Sequence, residues 1–212
     1  MVVADLDRDT APAARDGQAV DRPWHRAELE DNRWGVDSLS AGRLAYVWVP
    51  NTGGQGVVSF NRYFFAQQDR QGAVIDERFN GGGNLDDYMV DYMTRSLRAA
   101  ITNEVPRGNP LRLPAGVQGP KVLLINEMAG SGGDYFPFAF RQQQAGPLIG
   151  ARTWGGLLKL SVHYALVDGG SVAAGRDPQL ERGVQEALRL LEAQGARRVT
   201  PPPFSRPSRR PR

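Results

Sequence analysis

Short apolar runs and longer segments with helical spacing alternate along most of the chain. Three runs rich in valine, isoleucine and leucine have the length of buried strands, at 43–49, 73–78 and 121–126. A glycine-rich loop and then a segment with helical character follow each of them, the helices lying at 57–69, 84–100 and 134–144. This repeated order predicts an α/β fold with a mainly parallel sheet flanked by helices.

The second of these helices carries an apolar repeat of four residues. Its predicted buried stripe consists of Leu85, Met89, Met93 and Leu97, and Asn84 is its predicted N-cap. The stripe is typical of a helix that packs on a core, with no sign of a cofactor-binding segment. An irregular, proline-containing linker is predicted after it, over 102–119.

Further elements flank these three units. A helix is predicted over 22–38 and a short strand over 148–152. Strict alternation over 157–167 predicts a half-buried strand, with Lys159 and His163 on its polar face.

A last helix is predicted near the end of the chain, beginning after the N-cap Asp177 with Pro178 at its first position and ending at Gly195. The pattern as a whole predicts three regions: a disordered N-terminus (1–21), a single domain (22–195) and a disordered, basic, proline-rich tail (196–212).

Charge is unevenly distributed along the chain. There are 26 basic and 23 acidic residues, for a formal net charge of +3 and a pI near 9.5. Six of the arginines lie in 197–212, so the remainder holds 20 basic against 23 acidic residues. A nucleic-acid-binding domain concentrates its basic residues on one face of the fold, whereas here they lie on the predicted tail. Specific nucleic-acid binding is therefore not predicted.

Other features of the composition narrow the class of protein. Cysteine is absent, which excludes disulfides, thiolate metal ligands and a cysteine nucleophile. No stretch approaches the ~20 apolar residues of a membrane-spanning helix, and the acidic residues near the N-terminus are atypical of a signal peptide. We expect a cytoplasmic protein without membrane attachment, metal or cofactor.

Ser131 lies at the turn between the predicted strand 121–126 and the predicted helix 134–144. Such a position exposes the hydroxyl and places it beside the free N–H groups of a helix N-terminus. Gly132 and Gly133 follow, so that a substrate backbone could approach without meeting a Cβ. These features are typical of a nucleophilic serine. A serine before a helix is more often an N-cap, and that structural interpretation is favoured for this segment by itself.

The sequence Asn-Gly-Gly-Gly at 80–83 follows the second predicted strand. Its N–H groups would suit either phosphate binding or one half of an oxyanion hole. The spacing matches neither common nucleotide-binding motif. Because the loops after parallel strands lie along one edge of the sheet, we expect this loop beside Ser131. Attack by Ser131 on a carbonyl carbon, with the N–H groups of Gly82 and Gly132 facing the oxygen, accounts for both loops better than phosphate binding does.

Five runs in the chain occur in an order and spacing that resemble a known family: AYVWVP, AVIDERFNGGG, INEMAGSGGDYFPFAF, LIGARTWGG and DPQLERGVQEAL. Over residues 23–191 the chain resembles the C-terminal catalytic domain of tricorn-type serine peptidases, relatives of the C-terminal processing peptidases. The resemblance implies a crotonase-like ββα-type fold. It implies Ser131 as nucleophile, with Gly82 and Gly132 as oxyanion donors. It also implies a peptide substrate and suggests a homo-oligomer.

The chain departs from the family in its catalytic base. Tricorn-type peptidases take their histidine from an upstream domain and a glutamate from a segment before the last helix, and we expect both to be missing here. Gly156 stands where processing peptidases have a lysine, so no serine–lysine dyad is expected. The histidines His25 and His163 and the lysines Lys121 and Lys159 match no base position of the family and are interpreted as structural.

A serine hydroxyl is a weak nucleophile without a base within hydrogen-bond reach. We therefore expect the base to come from another domain or chain, and we expect this chain alone to be a poor or inactive peptidase. The leading hypothesis is a truncated or degenerate serine peptidase domain that acts by acyl transfer. The alternative is a non-catalytic peptide-binding or assembly module on the same fold. Acyl-CoA chemistry, a third interpretation, would need adenine and phosphate contacts that the sequence does not reveal.

Overall fold

A parallel sheet lies at the centre of the structure, which is a computed structural model that describes residues 23–101, 110–156 and 177–195. Its strands are β1 (Leu44–Trp48), β2 (Gly72–Asp76), β5 (Lys121–Ile125) and β6 (Leu148–Gly150), in the order β1-β2-β5-β6. The strands β3 (Ala99–Ile101) and β4 (Leu111–Leu113) pair antiparallel in a separate two-stranded sheet. The described helices are α1 (Pro23–Leu39), α2 (Gly54–Ala66), α3 (Asp86–Thr94), α4 (Gly132–Gln142) and α5 (Pro178–Gln194).

Both faces of the central sheet are buried, which explains why its strands are almost continuously apolar. Alternate side chains of a strand point to opposite faces. Val47 and Ile75 pack on one face with residues of α2, α3 and α4. Tyr46 and Val74 pack on the other face with residues of α1 and α5. The predicted α/β architecture, a mainly parallel sheet flanked by helices, is confirmed.

A buried polar network fastens α5 to the sheet. The Tyr46 hydroxyl donates to Asp76 Oδ2 at 2.8 Å, and burial together with this carboxylate raises the pKa of Tyr46. The Arg78 guanidinium lies 2.6 Å from Asp76 Oδ2 and 2.7 Å from Asp177 Oδ2. One arginine thereby links the end of β2 to the N-cap of α5.

The prediction for the helix 84–100 was wrong at its start. Asn84 is not the N-cap; Leu85 occupies that position, without a side-chain cap hydrogen bond. Leu85 is exposed and so lies outside the core, whereas Met89 and Met93 are buried as predicted. The buried stripe is therefore shorter than the sequence repeat.

The same helix also ends earlier than predicted. The Thr94 hydroxyl donates back to Val90 O at 3.0 Å, and Arg95 has an extended backbone, so Leu97 lies beyond the helix. β3 replaces the predicted last turn, and β4 lies inside the linker predicted to be irregular over 102–119. β3 and β4 hydrogen-bond to each other. Local periodicity does not reveal a pairing of this kind.

Glycines account for three further boundaries that differ from the prediction. α2 begins at Gly54 and α4 at Gly132, three and two residues before their predicted starts, because glycines assigned to loops form the first helical turns. β6 ends at Gly150, two residues before its predicted end. The last helix begins as predicted, with the Asp177 side chain accepting the Leu180 N–H at 2.9 Å.

Several predictions concern residues outside the described part of the chain: the termini 1–21 and 196–212 and the strand 157–167 with Lys159 and His163. None of the described helices is both long enough and apolar enough to cross a membrane.

Candidate active site

Three loops meet at the carboxyl edge of the central sheet: 49–53 after β1, 77–85 after β2 and 126–131 after β5. We call 80–83 the NGGG loop and 126–131 the serine turn. Backbone hydrogen bonds join the loops: Gly81 N–H to Pro50 O at 3.1 Å, Thr52 N–H to Gly82 O at 3.0 Å, and Gly130 N–H to Asn80 O at 3.1 Å. The predicted proximity of the two glycine-rich loops is confirmed.

Ser131 is exposed and has an uncommon backbone conformation. Its φ of 57° and ψ of −116° are outside the regions that non-glycine residues usually occupy. Its carbonyl oxygen accepts the N–H groups of Asp134 and Tyr135 in the first turn of α4, at 2.9 and 3.2 Å. The serine thus lies at a sharp strand-to-helix turn, where backbone strain is often associated with function.

Gly82 lies directly against Ser131. A Cβ on Gly82 would be 2.8 Å from Ser131 Cβ and 3.1 Å from both Ser131 Oγ and Gly132 N. The φ of Gly82 is +93°, a value that other residues rarely adopt. Contact distance and backbone conformation therefore both require glycine at this position.

The two N–H groups predicted as oxyanion donors differ in their bonding. The Gly132 N–H is at the first position of α4 and donates no hydrogen bond to any of the described residues. The Gly82 N–H donates to Asn80 Oδ1 at 2.8 Å. The buried Gly132 N–H therefore lacks an acceptor among the described residues, and the Gly82 N–H has an internal one.

Asn80 is fully buried and anchors the NGGG loop. Its Nδ2 donates to Glu77 Oε2 at 3.0 Å, and its backbone N–H donates to Glu77 O at 2.9 Å. Because Nδ2 faces the Glu77 carboxyl and Oδ1 faces the Gly82 N–H, each end of the carboxamide has a partner of the right kind. The orientation of the amide is thereby determined.

Two carboxyl groups beneath the loops have raised pKa values. Glu77 is fully buried, and its burial, with contributions from Asp86, Asp76 and Asp134, raises its pKa well above the ordinary value. Glu77 Oε1 has no hydrogen-bond partner in the described part of the chain. Burial also raises the pKa of Asp86 to about 6. Burial of Glu77 therefore disfavours its charged form, since a buried carboxylate without full compensation binds a proton more readily than an exposed one.

The buried carboxylate of Asp134 connects the serine turn to a third segment. Its Oδ2 accepts the Ser131 N–H at 3.2 Å and its Oδ1 accepts the Gly155 N–H at 2.6 Å. The Trp154 N–H donates to Ala129 O at 2.8 Å. The segment after β6 is thus held beside the serine turn by two independent contacts.

Large apolar side chains surround this edge of the sheet. Phe79 is 65% exposed and Trp154 is 70% exposed, and Met128 is also exposed. Phe79 has a φ of 64°, an outlier for a bulky residue. Asn126 Oδ1 accepts the N–H groups of both Phe79 and Met128, at 2.9 and 3.3 Å. The apolar groups therefore project from loops that are fixed in place.

In the described part of the chain, neither a lysine nor a histidine belongs to the loops around Ser131. The only lysine in this part, Lys121, begins β5 at the opposite end of the strand and donates from Nζ to Gly119 O at 2.9 Å. The only histidine there, His25, belongs to α1, on the far face of the sheet. Within the described residues there is also no cluster of histidine and acidic side chains that could hold a metal ion.

Comparison with known proteins agrees with this fold. The model of peptidase family S41 matches residues 43–186, more than half of the chain. The chain therefore belongs to peptidase family S41 and contains a serine-type peptidase domain. Within that family it is of the tricorn type.

Several of the similar proteins are named as tricorn proteases or as tricorn protease homologs. A tricorn protease homolog of Saccharolobus solfataricus is 40% identical over 147 residues, which are 68% of this chain and 13% of that protein. Tricorn protease homolog 1 of Streptomyces coelicolor is 31% identical over 214 residues, covering 84% of this chain and 20% of that protein. The crystal structure of the tricorn protease matches with a TM-score of 0.68 at 26% identity, over 81% of this chain and 20% of that one. The chain thus spans only about a fifth or less of these proteins.

Sequence reasoning predicted Ser131, Gly82 and Gly132 as site residues but did not predict the residues that bond to them in the structure. Asp134 follows Ser131 by three residues, the spacing of a capping box, and this signal was present in the sequence. The role of Glu77 had no local signal, because a glutamate after a strand is ordinarily exposed.

Proposed function

We propose that this domain hydrolyses peptide bonds by acyl transfer through Ser131. The observation that carries the proposal is the contact of Gly82 with Ser131 and Gly132, which brings two glycine bends to one exposed hydroxyl. The Ser131 hydroxyl attacks the peptide carbonyl, and the N–H groups of Gly132 and Gly82 stabilise the negative charge that develops on the oxygen. The leaving amine departs, and water then hydrolyses the acyl-enzyme.

The proton of the Ser131 hydroxyl requires an acceptor. We propose that another domain or chain supplies this base, because the lysine and the histidine of the described residues belong to the start of β5 and to α1, away from the serine turn. Alone, the domain is then an impaired peptidase, since loss of a triad member typically costs several orders of magnitude in rate. Family membership supports a peptide substrate. A crotonase-like fold, a homo-oligomer, a cytoplasmic location and a single domain over 22–195 belong to the same proposal.

A fluorophosphonate probe, which reacts with activated serines, tests the nucleophile. The chain is incubated with the probe in buffer containing imidazole as an external base. We expect labelling of the wild type and of Ser96→Ala, a control at an exposed serine between α3 and β3, and none of Ser131→Ala. Labelling that persists in Ser131→Ala would show that another residue reacts.

A second function, a peptide-binding module without catalysis, is favoured by one observation: the internal hydrogen bond of the Gly82 N–H. Under this alternative, peptides bind equally to wild type and Ser131→Ala, and neither chain is labelled or cleaves peptide even with added base. Isothermal titration with a peptide library, followed by mass spectrometry of the peptides, distinguishes the two functions.

A further inference from the structure

The Asn80 carboxamide accepts a hydrogen bond from one of the two N–H groups of the proposed oxyanion hole. Its Oδ1 is 2.8 Å from the Gly82 nitrogen, a full hydrogen bond to the same N–H that a substrate oxygen would need. The neighbouring Gly132 N–H has no acceptor among the described residues. Of the two proposed donors, one thus has an acceptor within the protein and the other has none among the described residues.

We propose that Asn80 is a positioning residue that holds the Gly82 N–H until the oxyanion forms, and that the oxyanion then replaces Asn80 Oδ1 as its acceptor. This inference rests on the proposed function of Ser131. It adds that the second donor is recruited during the reaction and is not free in the resting domain.

The chemistry of the two acceptors makes this exchange selective. Asn80 Oδ1 and the carbonyl of a bound peptide are both neutral acceptors, so exchanging one for the other gains little. An oxyanion accepts a charge-assisted hydrogen bond, which is roughly twice as strong as a neutral one. The exchange therefore favours the transition state over bound substrate, which is the condition for raising the rate of the chemical step.

The hydrogen bonds around Asn80 keep its side chain and the NGGG loop in position for this exchange. Glu77 Oε2 accepts the Asn80 Nδ2, and the Asn80 backbone bonds both Glu77 and Gly130, so the loop stays in place when Oδ1 loses its donor. Burial raises the pKa of Glu77 and so disfavours a negative charge on the carboxyl that bonds Asn80. The Gly82 peptide is the mobile part, because a glycine with φ of +93° can rotate at low steric cost.

The test follows the glycine amides by NMR. The chain is labelled with ¹⁵N-glycine and titrated with a peptide boronic acid, which forms a tetrahedral anionic adduct with a serine hydroxyl. We expect the Gly132 and Gly82 resonances both to shift downfield in the wild type, and neither to shift in Ser131→Ala.

Three other results are decisive against the inference. If the adduct forms and only Gly132 shifts, the inference about Asn80 is wrong while the proposed nucleophile stands. If both resonances shift equally in Ser131→Ala, the boronic acid is bound without an adduct, and both ideas fail. If no adduct forms in the wild type even with imidazole, the proposed function fails and this inference with it.

A variant pair provides a second measurement. Asn80→Asp keeps the size of the side chain and gives the Gly82 N–H a stronger acceptor, so the affinity for the boronic acid should fall at least about tenfold. Asn84→Asp introduces the same charge at an exposed position beside the loop and should bind within about twofold of wild type. Equal affinity of Asn80→Asp and wild type would contradict the exchange.

Discussion

The carboxylate of Asp134 holds Gly155 beside the serine turn, with Oδ1 accepting the Gly155 N–H at 2.6 Å. The other oxygen of the same carboxylate accepts the Ser131 N–H. A single buried side chain therefore fixes the backbone of the proposed nucleophile and the segment that follows β6.

Asp134→Asn is expected to destabilise the domain. An amide offers one acceptor where the carboxylate offers two, so at least one buried N–H loses its partner, at a cost of about 1–3 kcal/mol. Urea denaturation measures this change. Asp91→Asn is the matched control, because Asp91 is exposed and accepts only an exposed Gln143 amide; it should change the free energy of unfolding by less than about 0.5 kcal/mol. Equal effects of the two variants would contradict the anchoring role.

Gly82→Ala and Gly81→Ala should differ sharply although the residues are adjacent. An added Cβ at 82 meets Ser131 at 2.8 Å in a left-handed backbone conformation, whereas one at 81 meets nothing within 4 Å. We expect Gly82→Ala to lower the rate of fluorophosphonate labelling at least about tenfold and to destabilise the fold by about 1–2 kcal/mol. Gly81→Ala should label within about twofold of wild type. Similar labelling of both variants would show that the close contact at 82 is unimportant.

The raised pKa of Asp86 predicts a stability that decreases with pH. Burial raises this pKa from 3.8 to about 6, so the folded state binds the proton more tightly than the unfolded state. The contribution is fully present below pH 3.8 and is lost as the pH rises through about 6, by roughly 3 kcal/mol at most. Unfolding free energies of the wild type and Asp86→Asn, measured from pH 4 to 7.5, should therefore diverge in favour of the variant.

Asp87→Asn controls for the loss of a charge in the first turn of α3. Asp87 is exposed on the same turn, and Glu77 is present in all three chains. The prediction is contradicted if the Asp86→Asn and Asp87→Asn profiles have the same shape over this range.

Arg78→Ala should be among the most damaging substitutions of a charged residue in the described domain. It leaves the buried Asp76 carboxylate without its cation and breaks the link to Asp177, at an expected cost of about 3–5 kcal/mol. Arg33→Ala removes an exposed pair with Glu30 and should cost less than about 1 kcal/mol. Thermal and urea unfolding of both variants compare the two. A small effect at Arg78 would mean that Asp76 is solvated or neutralised without it.

Local pattern was sufficient to predict most of the elements. The apolar runs of β1, β2 and β5 and the Asp177 cap of α5 are determined by neighbouring residues, so the sequence predicted them within a few positions. The prediction failed at β3 and β4, because each strand is only three residues long and is stabilised by pairing with the other strand. In the sequence, the apolar repeat of α3 continues to Leu97. In the structure, the helix ends before this residue, because the backbone that follows is extended.

Residue pattern was enough to predict the parallel sheet, the position of Ser131 before a helix and the glycines that let two loops approach it. These depend on residue type and short spacing. Packing in three dimensions was needed to show that Asp134 joins Ser131 to Gly155, and that Glu77 is buried with a raised pKa. Those relationships depend on hydrogen-bond distances and on burial, which arise only when distant segments pack together.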